Sequence, residues 1–307
     1  FLFLIGNKYS LSTLTNLSAI KEVKTKFSQA KVKEILSDYR LAVESREASL
    51  IGRKEVFMGK AKFGIFGDGK EVAQIAMAKV FRKGDFRSGY YRDQTFMFAI
   101  GELTVQQYFA QLYAHTSLEA DPASAGRLMN GHYATRFLSN DGTFINFTEA
   151  KNSSADISPT AGQMPRLLGL AYASKLFRHN PVLKDLTTLS NNGNEIAFGT
   201  IGNASTSEGM FFEAVNAAGV LQVPMLVSVW DDDYGISVPQ EYHTTKLSIS
   251  KALAGLQRTA TEKGFEIITV KGWDYTGLIE AYQRAETICR EEHVPVLFHV
   301  QEMTQPQ

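Results

Sequence analysis

The 307-residue sequence has very little cysteine, no excess charge of either sign and no long apolar run. Its single cysteine, Cys289, excludes an internal disulfide and a zinc site built from cysteines, and it fits a reducing compartment. Because Cys289 lies in the helical run Leu278–Glu292, we expect a buried structural thiol and not a nucleophile. The 32 basic and 32 acidic residues cancel, so there is no overall electrostatic preference for nucleic acid or an anionic membrane.

Both ends of the chain carry an apolar run. Phe1–Ile5 is apolar but far too short to span a bilayer, and no signal peptide follows it. We therefore expect a soluble protein that acts without a membrane or a nucleic acid, and its 44% hydrophobic residues suffice for a large core. The chain stops at Gln307, just after the apolar run Val294–Gln301, so we expect its last domain to be truncated at the C-terminus.

The most informative segment, Ile196–Ser237, predicts a strand, a glycine turn, a helix, a second strand and an acidic loop. The run Ile196–Ile201 is apolar and breaks at Gly202, and a helix begins near Ser207. The run Val223–Trp230 is rich in valine and too short for a buried helix, so we interpret it as an interior parallel strand.

Polar side chains follow both of these strands. In a parallel strand–helix–strand unit both loops lie at the carboxyl edge of the sheet, so Asn203 and Asp232 can meet there. Mg²⁺ prefers oxygen ligands and keeps places for phosphate oxygens, and the helix N-terminus near Ser207 favours an anion. The combination predicts a diphosphate held through a metal. Taken singly, Gly202-Asn203 is better explained as the start of a helix, and Asp231–Asp233 as a solvated loop.

The rest of the chain predicts a helical N-terminal segment followed by one α/β domain. Lys31–Val56 favours a long amphipathic helix, because apolar residues recur among its charges at Val32, Ile35, Leu36, Tyr39, Leu41 and Val43. The polar stretch Lys151–Asp156 is a candidate mobile loop. Further predicted helices are Val72–Phe81, Val105–Leu118, Ala161–Phe177 and Thr276–Glu292, and further strands are Phe265–Val270 and Val294–Val300. Repeated strand–helix–strand units predict a parallel sheet with helices on both faces, in a domain of residues 61–307 on which the segment 1–60 packs.

The motif in Ile196–Ser237 resembles the alpha-type subunit of thiamine-diphosphate-dependent 2-oxo acid dehydrogenases. That family's cofactor motif has Gly-Asp-Gly, a helix with Ser-Glu-Gly and Glu-Ala-x-Asn, a proline-led strand and Asn-Asn-x-Tyr. The matching residues here, without a gap, are Ser207-Glu208-Gly209, Glu213-Ala214-Val215-Asn216, Pro224 and Tyr234-Gly235-Ile236-Ser237. The resemblance implies a thiamine-diphosphate-binding fold.

The sequence departs from the family at the two metal ligands. The family's first Asp is Asn203 and its second Asn is Asp232, an exchange that leaves their summed charge unchanged. We interpret it as a compensated Mg²⁺ site with Asn203, Asp232 and the Tyr234 carbonyl as ligands, flanked by Gly202 and Ala204 as cofactor-binding residues.

Two literal copies of the short triplets occur elsewhere. Gly67-Asp68-Gly69 and Asn191-Asn192 lack a partner at the motif's separation of about thirty residues, so we interpret both as ordinary turns.

Other blocks extend the resemblance from Phe63 to Val300. Tyr91-Arg92-Asp93-Gln94 matches a block whose arginine binds the diphosphate, a role that suits a planar guanidinium; the alternative is a surface ion pair between Arg92 and Asp93. Gly126–Tyr133 matches a block at the active-site entrance, which gives His132 a catalytic role, although a single histidine is more often structural.

A further block, Ser158–Gln163, implies two cofactor-binding residues, Ser158 and Thr160. Thr160 replaces the leucine on which the family's cofactor bends, so the wedge is smaller and more polar. Gly162 replaces a threonine of some members, and we expect no potassium site of that type. Phe63 is the candidate for the substrate pocket, although core packing is the usual role of a phenylalanine.

The resemblance implies the decarboxylating component of a 2-oxo acid dehydrogenase complex, with thiamine diphosphate and Mg²⁺ as cofactors. We expect oxidative decarboxylation of a branched-chain 2-oxo acid of the 2-oxoisovalerate type and transfer of the acyl group to a lipoyl group of an acyltransferase component; pyruvate is the close alternative. A beta-type subunit or a fused C-terminal half supplies a glutamate, so the chain is inactive alone. The location implied is the cytoplasm, or the mitochondrial matrix in a eukaryote. The alternatives are a non-catalytic assembly subunit that has lost the cofactor and a transketolase-like enzyme.

Overall fold

The computed structural model describes residues 28–304 of the chain. Within that range six parallel strands form one sheet: β1 Phe86–Ser88, β2 Asn152–Ser153, β3 Ala197–Gly202, β4 Met225–Trp230, β7 Glu266–Lys271 and β8 Val296–Gln301. Their order across the sheet is β2-β1-β3-β4-β8-β7. A short antiparallel hairpin, β5 Tyr234–Gly235 and β6 Val238–Pro239, follows β4. The central strands β3 and β4 therefore carry the two loops of the sequence motif.

Helices cover both faces of the sheet. They are α1 Gln29–Phe57, α2 Glu71–Ala78, α3 Gln94–Ile100, α4 Val105–Leu112, α5 Gln163–His179, α6 Gly209–Leu221, α7 Ile249–Ala252 and α8 Tyr275–Thr287, which a π-helical turn extends to Glu292. The predicted α/β fold with a helix-covered parallel sheet is confirmed. Most helices and strands lie within a few residues of their predicted bounds, but α4 ends at Leu112 and not at Leu118.

Alternating side chains of the central strands build a core on each face. Phe198 and Leu226 belong to one core together with residues of α2 and α8. Ile201 and Val229 belong to the other, together with residues of α5 and α6. Since successive side chains of a strand point to opposite faces, a buried parallel strand is apolar on both faces; β4 is buried at all six positions and is apolar except for Ser228, which is hydrogen-bonded to the Tyr282 hydroxyl. Cys289 is buried in the first core, as predicted, and burial raises the pKa of its thiol.

Helix α1 forms where predicted, but only two of its six predicted apolar positions, Ile35 and Leu41, pack against the cores. Four of its six predicted apolar positions are at least 37% exposed: Val32, Leu36, Tyr39 and Val43. The buried residues of the helix form a stripe of small side chains in its second half, Ser45, Ala48, Ser49 and Gly52. Ser45 and Ser49 accept hydrogen bonds from the side-chain amide of Gln94, and the bare Gly52 lies against Phe66. Small side chains bring this helix close to the domain, so apolar periodicity did not identify the contact face.

The predicted mobile loop Lys151–Asp156 is also corrected. It contains strand β2, which pairs in parallel with β1 and is buried. The Asp156 carboxylate at its end is bonded to the fully buried guanidinium of Arg87. A strand of two polar residues is too short to show any periodicity, so it resembled a loop.

The N-terminal residues 1–27 lie outside the described residues, and with them Phe1–Ile5 and the first half of the predicted segment 1–60. Within residues 28–304 every helix is too short or too polar to cross a membrane. The described part of the segment, helix α1, packs on the main domain through α3 and α4.

Candidate functional site

A cavity of about 260 Å³ opens at the carboxyl edge of the sheet. Its walls come from the loops that follow β1, β3 and β4, from Thr160 and from the β5–β6 hairpin. The lining residues are Tyr90, Tyr91, Arg92, Thr160, Gly202, Asn203, Ala204, Ser205, Glu208, Trp230, Asp232, Tyr234, Gly235 and Ile236. In an open parallel sheet this edge is where ligands bind. Eight of the ten predicted cofactor-binding, metal-binding and catalytic residues line it; Ser158 and His132 do not.

Strand pairing brings the two predicted metal ligands together. Gly202 of β3 is paired with Trp230 of β4, and the Asn203 N–H donates to the Trp230 carbonyl at 3.1 Å. The two chains therefore leave the sheet side by side, and Asn203 and Asp232 both face the cavity. The expectation that the turn after β3 and the acidic loop after β4 share one site matches this placement.

The side chain of Asn203 is unsatisfied. Asn203 is 2% exposed, and its amide nitrogen has no hydrogen-bond partner within the described residues. Because a buried unpaired amide costs free energy, a ligand at this point would stabilise the loop. A half-turn of the amide exchanges its nitrogen and oxygen, so either group can face the cavity.

The available donors are oxygen atoms, as a hard cation requires. They are the Asn203 amide, the Asp232 carboxylate and the carbonyl of Tyr234, all at the cavity wall. Within residues 28–304 no group of three or more His, Cys, Asp or Glu side chains is placed to hold a metal. A cation site here would thus depend on amide and carbonyl oxygens beside one carboxylate, and the residues present fit Mg²⁺ next to a diphosphate.

Sequence analysis missed Lys70, whose ammonium pairs with the Asp232 carboxylate but does not line the cavity. The Lys70 Nζ lies 2.7 Å from Asp232 Oδ2 and 3.4 Å from the Thr304 carbonyl. The Tyr234 N–H donates to Oδ1 of the same carboxylate at 3.3 Å. Burial lowers the pKa of the Lys70 ammonium, although the Asp232 charge opposes this. Lys70 follows the triplet Gly67-Asp68-Gly69, which forms the predicted turn, and no pattern links it to a residue 162 positions away.

The acidic loop is not a uniform solvated run. Asp231 is 4% exposed and points inward, where its carboxylate bonds His299 Nε2 at 2.7 Å and Gln240 Nε2 at 3.0 Å. Burial opposes ionisation, but the His299 hydrogen bond and charge hold the pKa of Asp231 below its usual value. His299 is completely buried and bonds Ser250 Oγ through Nδ1 at 2.9 Å. This chain of hydrogen bonds fixes the loop that presents Asp232 to the cavity.

Tyr91 and Arg92 form the opposite wall. Arg92 donates to the Phe66 carbonyl at 2.6 Å and lies against the Tyr91 ring. It is not paired with Asp93, so the alternative interpretation as a surface ion pair was wrong. Asp93 is fully buried and is bonded to Arg87 at 2.7 Å. The Arg92 side chain thus lines the cavity without a carboxylate partner among the described ion pairs.

Beneath this wall lies a buried ion cluster that sequence analysis also missed. The guanidinium of Arg87 is completely buried and bonds Asp93 and Asp156. Asp93 in turn accepts hydrogen bonds from the Thr200 hydroxyl and, at 3.4 Å, from the Trp230 indole. Burial raises the pKa of Asp156 and the nearby Asp93 charge adds to this, although the Arg87 guanidinium opposes both. The cluster ties β1, β3 and β4 together directly below the cavity.

His132 and Ser158 lie next to the cavity but not in its wall. His132 is 2% exposed; its Nε2 is 2.9 Å from the Ser158 hydroxyl and its Nδ1 is 3.2 Å from the Asn130 carbonyl. Its ring centroid is 6.2 Å from that of Tyr91. His132 therefore reaches the cavity through Tyr91 and Ser158, and its catalytic role stays a prediction.

Phe63 is not brought to the cavity. It is 49% exposed and does not line the cavity wall. Phe66, three residues later, is the aromatic residue that packs, in the core formed with α1 and α4. The substrate-pocket role of Phe63 stays a prediction without support from this arrangement.

Helix α6 begins at Gly209, two residues later than predicted, because a 3₁₀ turn over Ala204–Ser207 precedes it. Ser205 and Glu208 of this region line the cavity. The turn brings its backbone close to the space beside Asn203.

Comparison with known proteins identifies the family of this chain. A family model described as "Dehydrogenase E1 component" matches residues 39–302. The 2-oxoisovalerate dehydrogenase subunit alpha of Bacillus subtilis (strain 168) is 29% identical over 241 residues, which cover 78% of this chain and 61% of that protein. The mitochondrial 2-oxoisovalerate dehydrogenase subunit alpha of Mus musculus is 23% identical over 266 residues, which cover 86% and 51%.

A relative with a different substrate in its name is about as similar to this chain as the mouse protein is. The pyruvate dehydrogenase E1 component subunit alpha of Acholeplasma laidlawii is 24% identical over 263 residues, which cover 86% of this chain and 62% of that protein. The chain spans between about half and three fifths of the length of these relatives. Because the family model covers most of the chain, the predicted resemblance is confirmed, and the protein belongs to the dehydrogenase E1 component family.

Proposed function

We propose that this chain is the alpha-type part of a 2-oxo acid dehydrogenase that uses thiamine diphosphate and Mg²⁺, with a branched-chain 2-oxo acid as substrate. The observation that carries the proposal is the convergence of Asn203, Asp232, Thr160 and Arg92 on one cavity at the carboxyl edge of the sheet. Oxygen donors for a cation stand on one side, and a guanidinium for an anion stands on the other.

Each of these side chains has a distinct task in the proposed site. Asn203, Asp232 and the Tyr234 carbonyl would hold the metal, and Arg92 would bind diphosphate oxygens. Thr160 would support the bent cofactor from below, as a smaller and more polar wedge than leucine. Thiamine diphosphate supplies carbanion chemistry when bound, while the protein provides binding, orientation and electrostatics.

His132 is the proposed proton-handling group of this chain. Its Nε2 is 2.9 Å from the Ser158 hydroxyl, so the two groups can exchange a proton beside the cavity. The Tyr91 ring, which lines the cavity, lies 6.2 Å from the imidazole between centroids.

The proposed partners are a beta-type subunit or a fused C-terminal half and a lipoyl-bearing acyltransferase component. The names of the relatives, which are alpha subunits, support the first of these. The chain alone would be inactive, because a second domain is needed to complete the cofactor site. A bacterial and a mitochondrial relative support a location in the cytoplasm or the mitochondrial matrix.

The choice of substrate rests on the relatives. Proteins named for 2-oxoisovalerate recur among them, which favours a branched-chain 2-oxo acid over pyruvate. The two assignments are distinguished by the kcat/KM for release of labelled CO₂, measured on the complete enzyme with 2-oxoisovalerate and with pyruvate. A higher kcat/KM for pyruvate would refute the branched-chain assignment.

A non-catalytic assembly subunit is the second candidate, because the Lys70 ammonium already pairs with the proposed metal ligand Asp232. Calorimetric titration of thiamine diphosphate into the complete protein, first with Mg²⁺ and then with EDTA, separates the two. We expect binding with Mg²⁺ that EDTA weakens. Absence of binding in both conditions would exclude the enzyme and leave the assembly subunit.

A further inference from the structure

A lysine reaches the candidate cofactor site from a distant turn. Lys70 immediately precedes α2, and its Nζ is 2.7 Å from Asp232 Oδ2. Only 2% of the Lys70 side chain and 8% of the Asp232 side chain are exposed. Asp232 lines the cavity and Lys70 does not, so Lys70 acts on the cavity through this carboxylate.

The backbone that carries Lys70 is fixed on one side by the chain after β8. Gly69 has φ +92°, and a Cβ at this position would overlap the Thr304 carbonyl oxygen. Only glycine adopts this conformation without strain and allows so close an approach. The same carbonyl lies 3.4 Å from Lys70 Nζ.

Helix α1 fixes the other side. Arg53 is paired with Asp68 at 3.0 Å, and Arg46 with Glu71 at 2.6 Å. Both carboxylates are nearly buried, with 1% and 7% of their side-chain surfaces exposed. Lys70 lies between Asp68 and Glu71 in the chain, so these two ion pairs fix the backbone on both sides of it.

The charges at the site follow from this placement. Asp232 carries the one negative charge among the three proposed donors, and the buried Lys70 cancels it at 2.7 Å. A bare divalent cation would therefore meet a neutral donor set with an ammonium behind it. A diphosphate would contact Arg92 in the cavity wall and would be attracted by the Lys70 charge behind Asp232, and it would neutralise the cation as it binds. Little solvent reaches Lys70 to screen these interactions.

We propose that Lys70 is a positioning residue that makes metal binding at the Asn203/Asp232 site depend on the diphosphate. It holds the Asp232 carboxylate at the cavity wall and cancels its charge until the anion arrives. This inference rests on the proposed function, because it concerns the same metal and cofactor. Cation and anion then bind with positive coupling, and each increases the affinity for the other.

The test measures Mn²⁺ binding to the complete protein by electron paramagnetic resonance, with and without inorganic pyrophosphate, and pyrophosphate binding without metal by calorimetry. In the Lys70→Met variant we expect Mn²⁺ alone to bind at least about tenfold more tightly, and pyrophosphate alone at least about threefold more weakly. Lys70→Arg keeps the charge and should retain the wild-type coupling. Lys79→Met is the matched control, since Lys79 also forms ion pairs, with Glu34 and Asp38, but away from the cavity.

The opposite signs distinguish this role from a merely structural one. Damage to the loop would weaken both Mn²⁺ and pyrophosphate, and that result, like an unchanged Mn²⁺ affinity in Lys70→Met, would overturn the inference. If thermal melting shows that Lys70→Met does not fold, Lys70→Gln is measured with the same expectation. If the wild type binds Mn²⁺ with thiamine diphosphate and Lys70→Met has the same affinities, the inference alone is refuted. A wild-type protein that binds neither refutes the proposed function as well.

Discussion

Replacing Arg87 by Met should remove a large part of the stability of the domain. Its guanidinium is completely buried and bonds Asp93 at 2.7 Å and Asp156 at 3.0 Å, so the variant leaves two buried carboxylates without a cation. Loss of one partner from a buried ion pair costs about 3–5 kcal/mol, and two stranded carboxylates place this variant at the upper end. Domains are stable by only about 5–15 kcal/mol, so Arg87→Met should lower the urea midpoint sharply.

The effect should also depend on pH. Burial raises the pKa of Asp156 in the folded protein, and removal of Arg87 raises it further. A carboxyl group whose folded pKa is raised contributes stability below its unfolded pKa and loses it as pH rises through the folded pKa. The difference in the free energy of unfolding between wild type and variant should therefore be smaller at pH 5 than at pH 7.5. Arg40→Met is the control, because the Arg40–Glu44 pair is exposed and should be dispensable. A loss below about 1 kcal/mol for Arg87→Met would refute the reasoning.

Three further predictions concern other parts of the chain. Cys289 is fully buried, so the native protein should resist iodoacetamide at pH 8 and react only after unfolding, as mass spectrometry would show; rapid labelling would contradict its burial. Burial lowers the pKa of His293 from 6.5 to about 4, so stability present above pH 6.5 should be lost as pH falls toward 4. His293→Asn, which tolerates the left-handed backbone (φ 56°), should flatten the urea midpoint over that range. Asn203→Ala should weaken metal-dependent binding of thiamine diphosphate to the complete protein at least about tenfold in calorimetry, whereas Asn191→Ala in the unrelated turn should not.

The central unit could be predicted from the sequence because its signals are local. Five of the six residues of strand β4 are apolar, and the periodicity of α6 continues over 13 residues. Parallel connection then places both loops at one edge, which is why the meeting of Asn203 and Asp232 followed from topology alone. The bounds of α6 shifted by two residues because the 3₁₀ turn before it has no distinct sequence pattern.

The parts that could not be predicted depend on contacts between distant residues. Strand β2 has two residues and is defined only by its partner β1. Helix α1 packs through Ser45, Ser49 and Gly52, whose small size matters only because a neighbour lies close. His299 and its partner Asp231 are 68 positions apart, and neither residue type predicts the presence of the other. Such pairings become visible only when the fold brings the residues together.

The exchange of amide and carboxylate at Asn203 and Asp232 has a different meaning once Lys70 is included. Counted over the two ligands, the exchange leaves the charge as it is in the family, which favoured a simple compensated metal site. The buried surroundings add one positive charge to this count, because the Lys70 ammonium lies 2.7 Å from the Asp232 carboxylate. With Asp232 as the proposed metal ligand, this pair joins the ligand to the turn that Arg46 and Arg53 of α1 hold, and the cation affinity of the site should then depend on the N-terminal helix as well as on the motif.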